Sequence, residues 1–214
     1  LFKKMMNQIA DDTLAYYRML EEKGLILPTT AFENVGQGTF AFTRELPGAE
    51  TLKERPFTTS DVWGFMDSQE TVGISPDMYE EFIYPCYKKI SSQYGLLSYG
   101  CCEPVHPIWD RCVSKFENLR KVSISPWCDE EFMGEELRGS HVIYHRKPSP
   151  NFLGVDPVLN EEALREHFRA TLKAARGCKL EFTQRDVYTL HNNIEKGRRY
   201  IQILREEIEN CWQG

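Results

Sequence analysis

A chain of 214 residues, 41% hydrophobic and 27% charged, is long enough to bury a sizeable core and has the make-up of an ordinary globular protein. Disorder, collagen and a coiled coil are excluded as global descriptions. Lys and Arg number 26 against 32 Asp and Glu, a net charge of −6 that argues against a nucleic-acid binder, and no apolar run reaches the ~18 residues of a membrane span.

In chain order, Phe2, Met5, Met6, Ile9, Thr13, Tyr16, Tyr17 and Leu20 follow helical spacing, and Gly24 supplies a left-handed stop. The chain opens at Leu1 directly in this pattern and reads as part of a longer polypeptide. Leu25-Ile26-Leu27 is an apolar run of strand type. A long loop then runs from Pro28 to about Asp61. Its Asn34-Val35-Gly36-Gln37-Gly38 is only superficially like a phosphate loop, because no helix pattern follows. Val62–Met66 reads as the second strand. Ser75-Pro76-Asp77 starts a helix that runs to about Tyr94, with a hydroxyl cap, Pro at the first position and an acid in the first turn.

Leu96–Gly100 is the third strand and ends in Cys101-Cys102-Glu103. A short helix is predicted over about Val105–Phe116, with Trp109, Cys112, Val113 and Phe116 on its inner stripe. Leu119–Ser125 is the fourth strand, and Asp129 caps the next helix. His141–Tyr144 is the fifth strand. Asn160 starts a helix stopped at Gly177, Cys178–Phe182 is the sixth strand, and a last helix carries Tyr200, Ile201, Leu204, Ile208 and Cys211. His167 and His191 read as surface residues.

Alternation of strand and helix implies parallel strands, because each helix carries the chain back to the starting edge. Strand starts near 25, 62, 96, 120, 141 and 179 are spaced by about 31 residues, the length of one β/α unit. The expected fold is α/β: a single domain over 1–214 forming a partial (β/α)8 TIM barrel of about six units. An open doubly wound sheet is the weaker choice, since no glycine-rich phosphate fingerprint follows any strand. About two units would be absent on the N-terminal side, or a neighbour would supply them. The exposed sheet edges this leaves predict a homo-oligomer. Seven cysteines, an odd number with no CxxC pair, fit a reducing, cytoplasmic setting better than a disulfide framework.

Polar residues gather at the strand C-termini, where a barrel builds its active site. Cys101, Cys102 and Glu103 offer two soft ligands and a carboxylate suited to zinc, and His106 extends the set. In regular β geometry only one of the two cysteines faces the interior. Gln69 and Glu70 end the second strand: Glu70 is a candidate metal ligand or general acid/base, or a partner for Arg146. His145-Arg146-Lys147 is a cationic strand end able to hold a substrate carboxylate, with Glu181 as the alternative ion-pair partner for Arg146. Arg185 adds a further cation, and Asp186 an acid, from the last strand.

The segments Trp63-Gly64-Phe65, Ser68-Gln69-Glu70-Thr71, Ser75-Pro76, Tyr99-Gly100-Cys101-Cys102-Glu103-Pro104, Ser125-Pro126-Trp127, Arg146-Lys147-Pro148 and Arg176-Gly177-Cys178 carry a resemblance to the uroporphyrinogen decarboxylase-like superfamily. More narrowly, the chain looks like the branch near the cobalamin-dependent methyltransferases. The resemblance covers nearly the whole chain and matches the C-terminal half to two-thirds of such proteins. It implies a β/α barrel and one of two enzymatic reactions: methyl transfer involving a corrinoid on a partner protein, or decarboxylation of a porphyrinogen. A non-catalytic tetrapyrrole-binding remnant is the third alternative. Trp127 would then line a flat apolar pocket for a tetrapyrrole. Decarboxylases have a Gly-His-Gly loop where this chain has Gln184-Arg185-Asp186-Val187, and zinc methyltransferases have His-x-Cys where it has Tyr99-Gly100-Cys101. Methyl transfer with Glu70, Glu103 and Asp186 as catalytic residues is the leading expectation.

Overall fold

The computed structural model describes residues 1–31 and 33–212. Its contacts divide into two compact units, Leu1–Val122 and Ser123–Gly214.

In the first unit, helix α1 (Phe2–Glu22) buries Ala10 and Leu14 and packs on helix α3 (Tyr84–Ser91). Gly24 ends α1 with φ +63°, as the sequence predicts. The expected strand at Leu25–Leu27 does not form. The Leu25 N–H turns back to the Leu20 carbonyl, and both Leu25 and Leu27 are exposed. Three apolar residues are too few to tell a strand from an extended helix exit. Inside the long loop, β1 (Asn34–Gly36) and β2 (Thr39–Phe40) make a small antiparallel hairpin turning through Gly38 at φ +66°.

The main sheet of the first unit begins at β3 (Trp63–Met66), which pairs in parallel with β4 (Leu96–Tyr99) in the register Trp63↔Leu96 to Met66↔Tyr99. β4 pairs in parallel with β5 (Leu119–Ile124), with a register shift between Leu97 and Ser98. All four residues of β4 are buried, as expected for a parallel strand covered on both faces. Between β3 and β4 the predicted single helix is two, α2 (Pro76–Phe82) and α3. Pro85 has no N–H to continue the ladder, so the helix breaks at Ile83. The Ser75 cap is present, its hydroxyl accepting the Met78 N–H at 3.2 Å.

The expected helix over 105–116 is instead two isolated 3-10 turns, His106–Ile108 and Val113–Lys115. The Cys112 backbone, at φ −132° and ψ −64°, leaves the helical region between the two turns and keeps them from joining. The predicted stripe still holds: Trp109, Cys112, Val113 and Phe116 are all buried.

In the second unit β6 (Ile143–Arg146) pairs in parallel with β7 (Lys179–Phe182). Among the described residues the large sheet has five strands in chain order, one fewer than expected, the missing one being Leu25–Leu27. Helix α4 (Glu130–Leu137) is capped by Asp129 and α6 (Glu161–Ala174) by Asn160, both as predicted. A short helix α5 (Asn151–Gly154) precedes α6. α6 packs against the last helix, α7 (Ile194–Cys211), around Leu153, Leu164, Phe168, Tyr200 and Ile203. The outer edge of that packing is an ion-pair seam in which Arg165 and Arg169 both reach the buried Glu207.

His167 is not the surface residue that helix periodicity suggested. Its ring lies 4.9 Å from that of Phe152, its Nε2 is buried without a hydrogen bond, and burial, reinforced by the Arg146 charge, pushes its pKa down to about 4. No helix among the described residues is long and apolar enough to cross a membrane.

Candidate functional site at the strand C-termini

In the first unit the chain leaves β3 through Asp67 and Ser68 and leaves β4 through Gly100, whose φ of +91° suits glycine. Glu103 joins the two exits. Its Oε1 accepts the Ser68 N–H at 2.8 Å and its Oε2 accepts the Cys101 N–H at 2.9 Å, with the residue 4% exposed. A carboxylate accepting two buried N–H groups is a strong, charge-assisted anchor. It bends the chain so that Cys101 and Cys102 lie past the strand with their sulfurs 3.7 Å apart. The strict alternation expected for adjacent strand residues therefore does not apply to them. Cys101 is buried and Cys102 half-buried.

Close by in sequence and fold, the Tyr79 and Tyr99 hydroxyls share a hydrogen bond of 2.6 Å, and Tyr87 donates to the Asp67 carbonyl at 2.8 Å. Burial raises all three phenols above their ordinary range, so they stay protonated. Sequence reasoning placed Ser68 at this strand end but gave the three tyrosines no part in it. Tyr79 and Tyr87 sit on helices, and only the packing reveals where their hydroxyls point. Gln69 donates to Asp67 at 3.0 Å. Glu70 is exposed and lines an apolar cavity of about 540 Å³ with Phe2, Ile74, Met78, Phe82 and Tyr87. His106 is half-buried in the 3-10 turn after Glu103. Among the described residues no group of three or more His, Cys, Asp and Glu side chains is arranged to hold a metal ion.

In the second unit, Arg146 closes β6 and is 2% exposed. Its guanidinium donates to the Ile124 carbonyl at 3.0 Å, the Ser125 carbonyl at 2.7 Å and Glu130 at 2.5 Å. The ion-pair partner is thus Glu130 from α4 and not Glu181, the neighbouring acid of the same unit that the sequence suggested. Glu130 accepts in addition from Thr171 at 2.6 Å. Lys147 is 1% exposed, and its N–H donates to the Ile124 carbonyl. His145 is buried and hydrogen-bonds Thr183 at 2.8 Å. Trp127 projects outward at 65% exposure and takes no part in a core. Past β7, Arg185 pairs with Asp186 at 2.9 Å, and Asp186 is exposed with φ +59°. Gln184 accepts the Tyr200 hydroxyl at 2.5 Å.

The sequence-predicted residues thus form two groups. Cys101, Cys102 and Glu103 converge on one turn of the first unit. Arg146 and Lys147 share the end of β6 in the second, with Arg185 and Asp186 paired beyond β7. No family model matches the chain, and no curated protein matches it.

Proposed function

We propose that the chain is part of a uroporphyrinogen decarboxylase-like β/α barrel enzyme whose chemistry is corrinoid-linked methyl transfer. Parallel strands in chain order, alternating with helices, support the partial-barrel reading. The observation that carries the chemistry is the turn after β4, where Glu103 anchors the backbone and two thiols stand 3.7 Å apart. A thiolate is a soft nucleophile. A methylated corrinoid, presented by a partner protein, would supply an electrophilic methyl group, the electron pair of the broken cobalt–carbon bond staying with the cobalt as the sulfur–carbon bond forms. The half-buried Cys102 is the sulfur that meets it, Cys101 lies behind, and Glu103 fixes both in place. Glu70 and Gln69, at the end of β3, are the groups for proton movement and substrate contact in the same unit.

The zinc expected with Cys101, Cys102, Glu103 and His106 enters no step. Both Glu103 oxygens are engaged by backbone N–H groups, so this reading assigns the carboxylate to holding the turn.

The test is anaerobic incubation of the full-length protein with methylcobalamin, following the corrinoid absorbance and mapping the cysteines by mass spectrometry. Loss of the methyl–cobalt band that slows at least tenfold in Cys102→Ser supports the reading. A rate equal to that of buffer alone overturns it.

Porphyrinogen decarboxylation is the second reading. It draws on the buried cations Arg146 and Lys147 at the end of β6, with Arg185 beyond β7 and Trp127 as an apolar face. Cations of this kind bind substrate carboxylates. Release of carbon dioxide from a porphyrinogen would select this reading, and binding without turnover would select a tetrapyrrole-binding remnant. A homo-oligomer and a cytoplasmic setting belong to the same proposal, and light scattering on the full-length protein tests the first.

A further inference from the structure

We infer that Cys101 and Cys102 form a vicinal dithiol that closes reversibly to a disulfide when exposed to a peroxide. In an extended chain neighbouring side chains diverge to opposite faces, so adjacent cysteines ordinarily keep their sulfurs apart. Here the backbone is held out of that geometry by two features. Gly100 adopts φ +91° immediately before the pair, and the Glu103 carboxylate draws the Cys101 N–H toward itself at 2.9 Å. The sulfurs come to 3.7 Å, near contact distance, with Cys101 buried and Cys102 partly open to solvent. The other cysteines differ. Cys86, Cys112, Cys128 and Cys178 are buried, and Cys211 is exposed on α7.

The asymmetry sets the order of events. The Cys102 thiolate attacks one oxygen of hydrogen peroxide, the O–O bond breaks, and a sulfenic acid forms with release of water after protonation. The Cys101 sulfur then attacks the Cys102 sulfur. The S–O bond breaks, the S–S bond forms, and a second water leaves. Two thiols and one peroxide give one disulfide and two waters; sulfur is oxidised and oxygen reduced. Consecutive Cα atoms are only about 3.8 Å apart, below the separation disulfides prefer, so the ring is strained and easily reopened by a dithiol. Closure would take both sulfurs out of use as nucleophiles, which makes the pair a candidate switch on the thiol chemistry. The dithiol itself does not depend on the methyl-transfer reading.

The experiment treats the full chain with hydrogen peroxide, blocks remaining thiols with an alkylating agent, and maps peptides with and without prior reduction. The expected result is a Cys101–Cys102 peptide lighter by two hydrogens, unalkylated, and restored to double alkylation by dithiothreitol. Phenylarsine oxide, which bridges paired thiols, is expected to bind one per chain and to protect this peptide. Cys102→Ser, at a half-buried position, should abolish both products. Double alkylation of the pair while Cys211 is oxidised, or overoxidation of Cys102 with no ring formed, overturns the proposal. Neither outcome bears on methyl transfer, which is read from the corrinoid absorbance.

Discussion

Glu130 accepts the Arg146 guanidinium at 2.5 Å, linking the first turn of α4 to the end of β6 with the arginine side chain only 3% exposed. A buried charge held by one carboxylate is costly to strand. Glu130→Ala should therefore lower stability by about 3 kcal/mol in urea unfolding. The double replacement Glu130→Leu with Arg146→Met should recover most of that loss, because it removes both charges. A single variant as stable as the parent would show that the pair carries no such weight.

Glu103 presents a related case with a different donor set. Glu103→Gln keeps the shape but turns an amide NH2 toward one of two backbone N–H groups. Stability should fall by about 1–3 kcal/mol, the cost of leaving a buried donor unpaired. Alkylation of Cys101 in the native protein should become faster as the turn loosens, and unchanged protection would argue that other contacts hold the turn.

His167 makes stability depend on pH with a definite sign. Its folded-state pKa of about 4 lies below the ordinary histidine value of about 6.5. Between those values the unfolded chain binds the extra proton, so stability falls as pH drops through that window and is insensitive to this group above it. The loss should reach about 3 kcal/mol near pH 4. His167→Phe retains the ring against Phe152 and should flatten that part of the pH–stability curve measured by thermal unfolding; an identical curve would contradict the assignment.

Gly134 lets α4 approach α6 closely: a Cβ there would stand 1.9 Å from the Ala174 carbonyl oxygen. Backbone cannot yield as a side chain can. Gly134→Ala should cost about 1–3 kcal/mol through overpacking, although alanine is the better helix former. A stabilised variant would mean that the two helices separate without penalty.

What the residues determine by themselves here is local. Caps at Ser75, Asp129 and Asn160, the stop at Gly24, the buried stripe around Cys112 and four of the five sheet strands follow from hydrogen-bonding capacity, backbone freedom and apolar spacing. The fifth, β6, lies in the predicted region but begins two residues later and runs on to Arg146. These are short-range properties, written into neighbouring side chains.

Partners distant in sequence were decided by tertiary structure. Nothing in the order of residues distinguishes Glu130 from Glu181 as the acid for Arg146, or shows that Glu103 reaches back to Ser68. Leu25–Leu27 had strand-like composition but found no strand to pair with, and His167 acquired a depressed pKa because folding buries its ring and sets it in the field of Arg146. Pairing, desolvation and the meeting of two sulfurs at 3.7 Å depend on which surfaces the folded chain brings together, and that information is absent from any window of neighbouring residues.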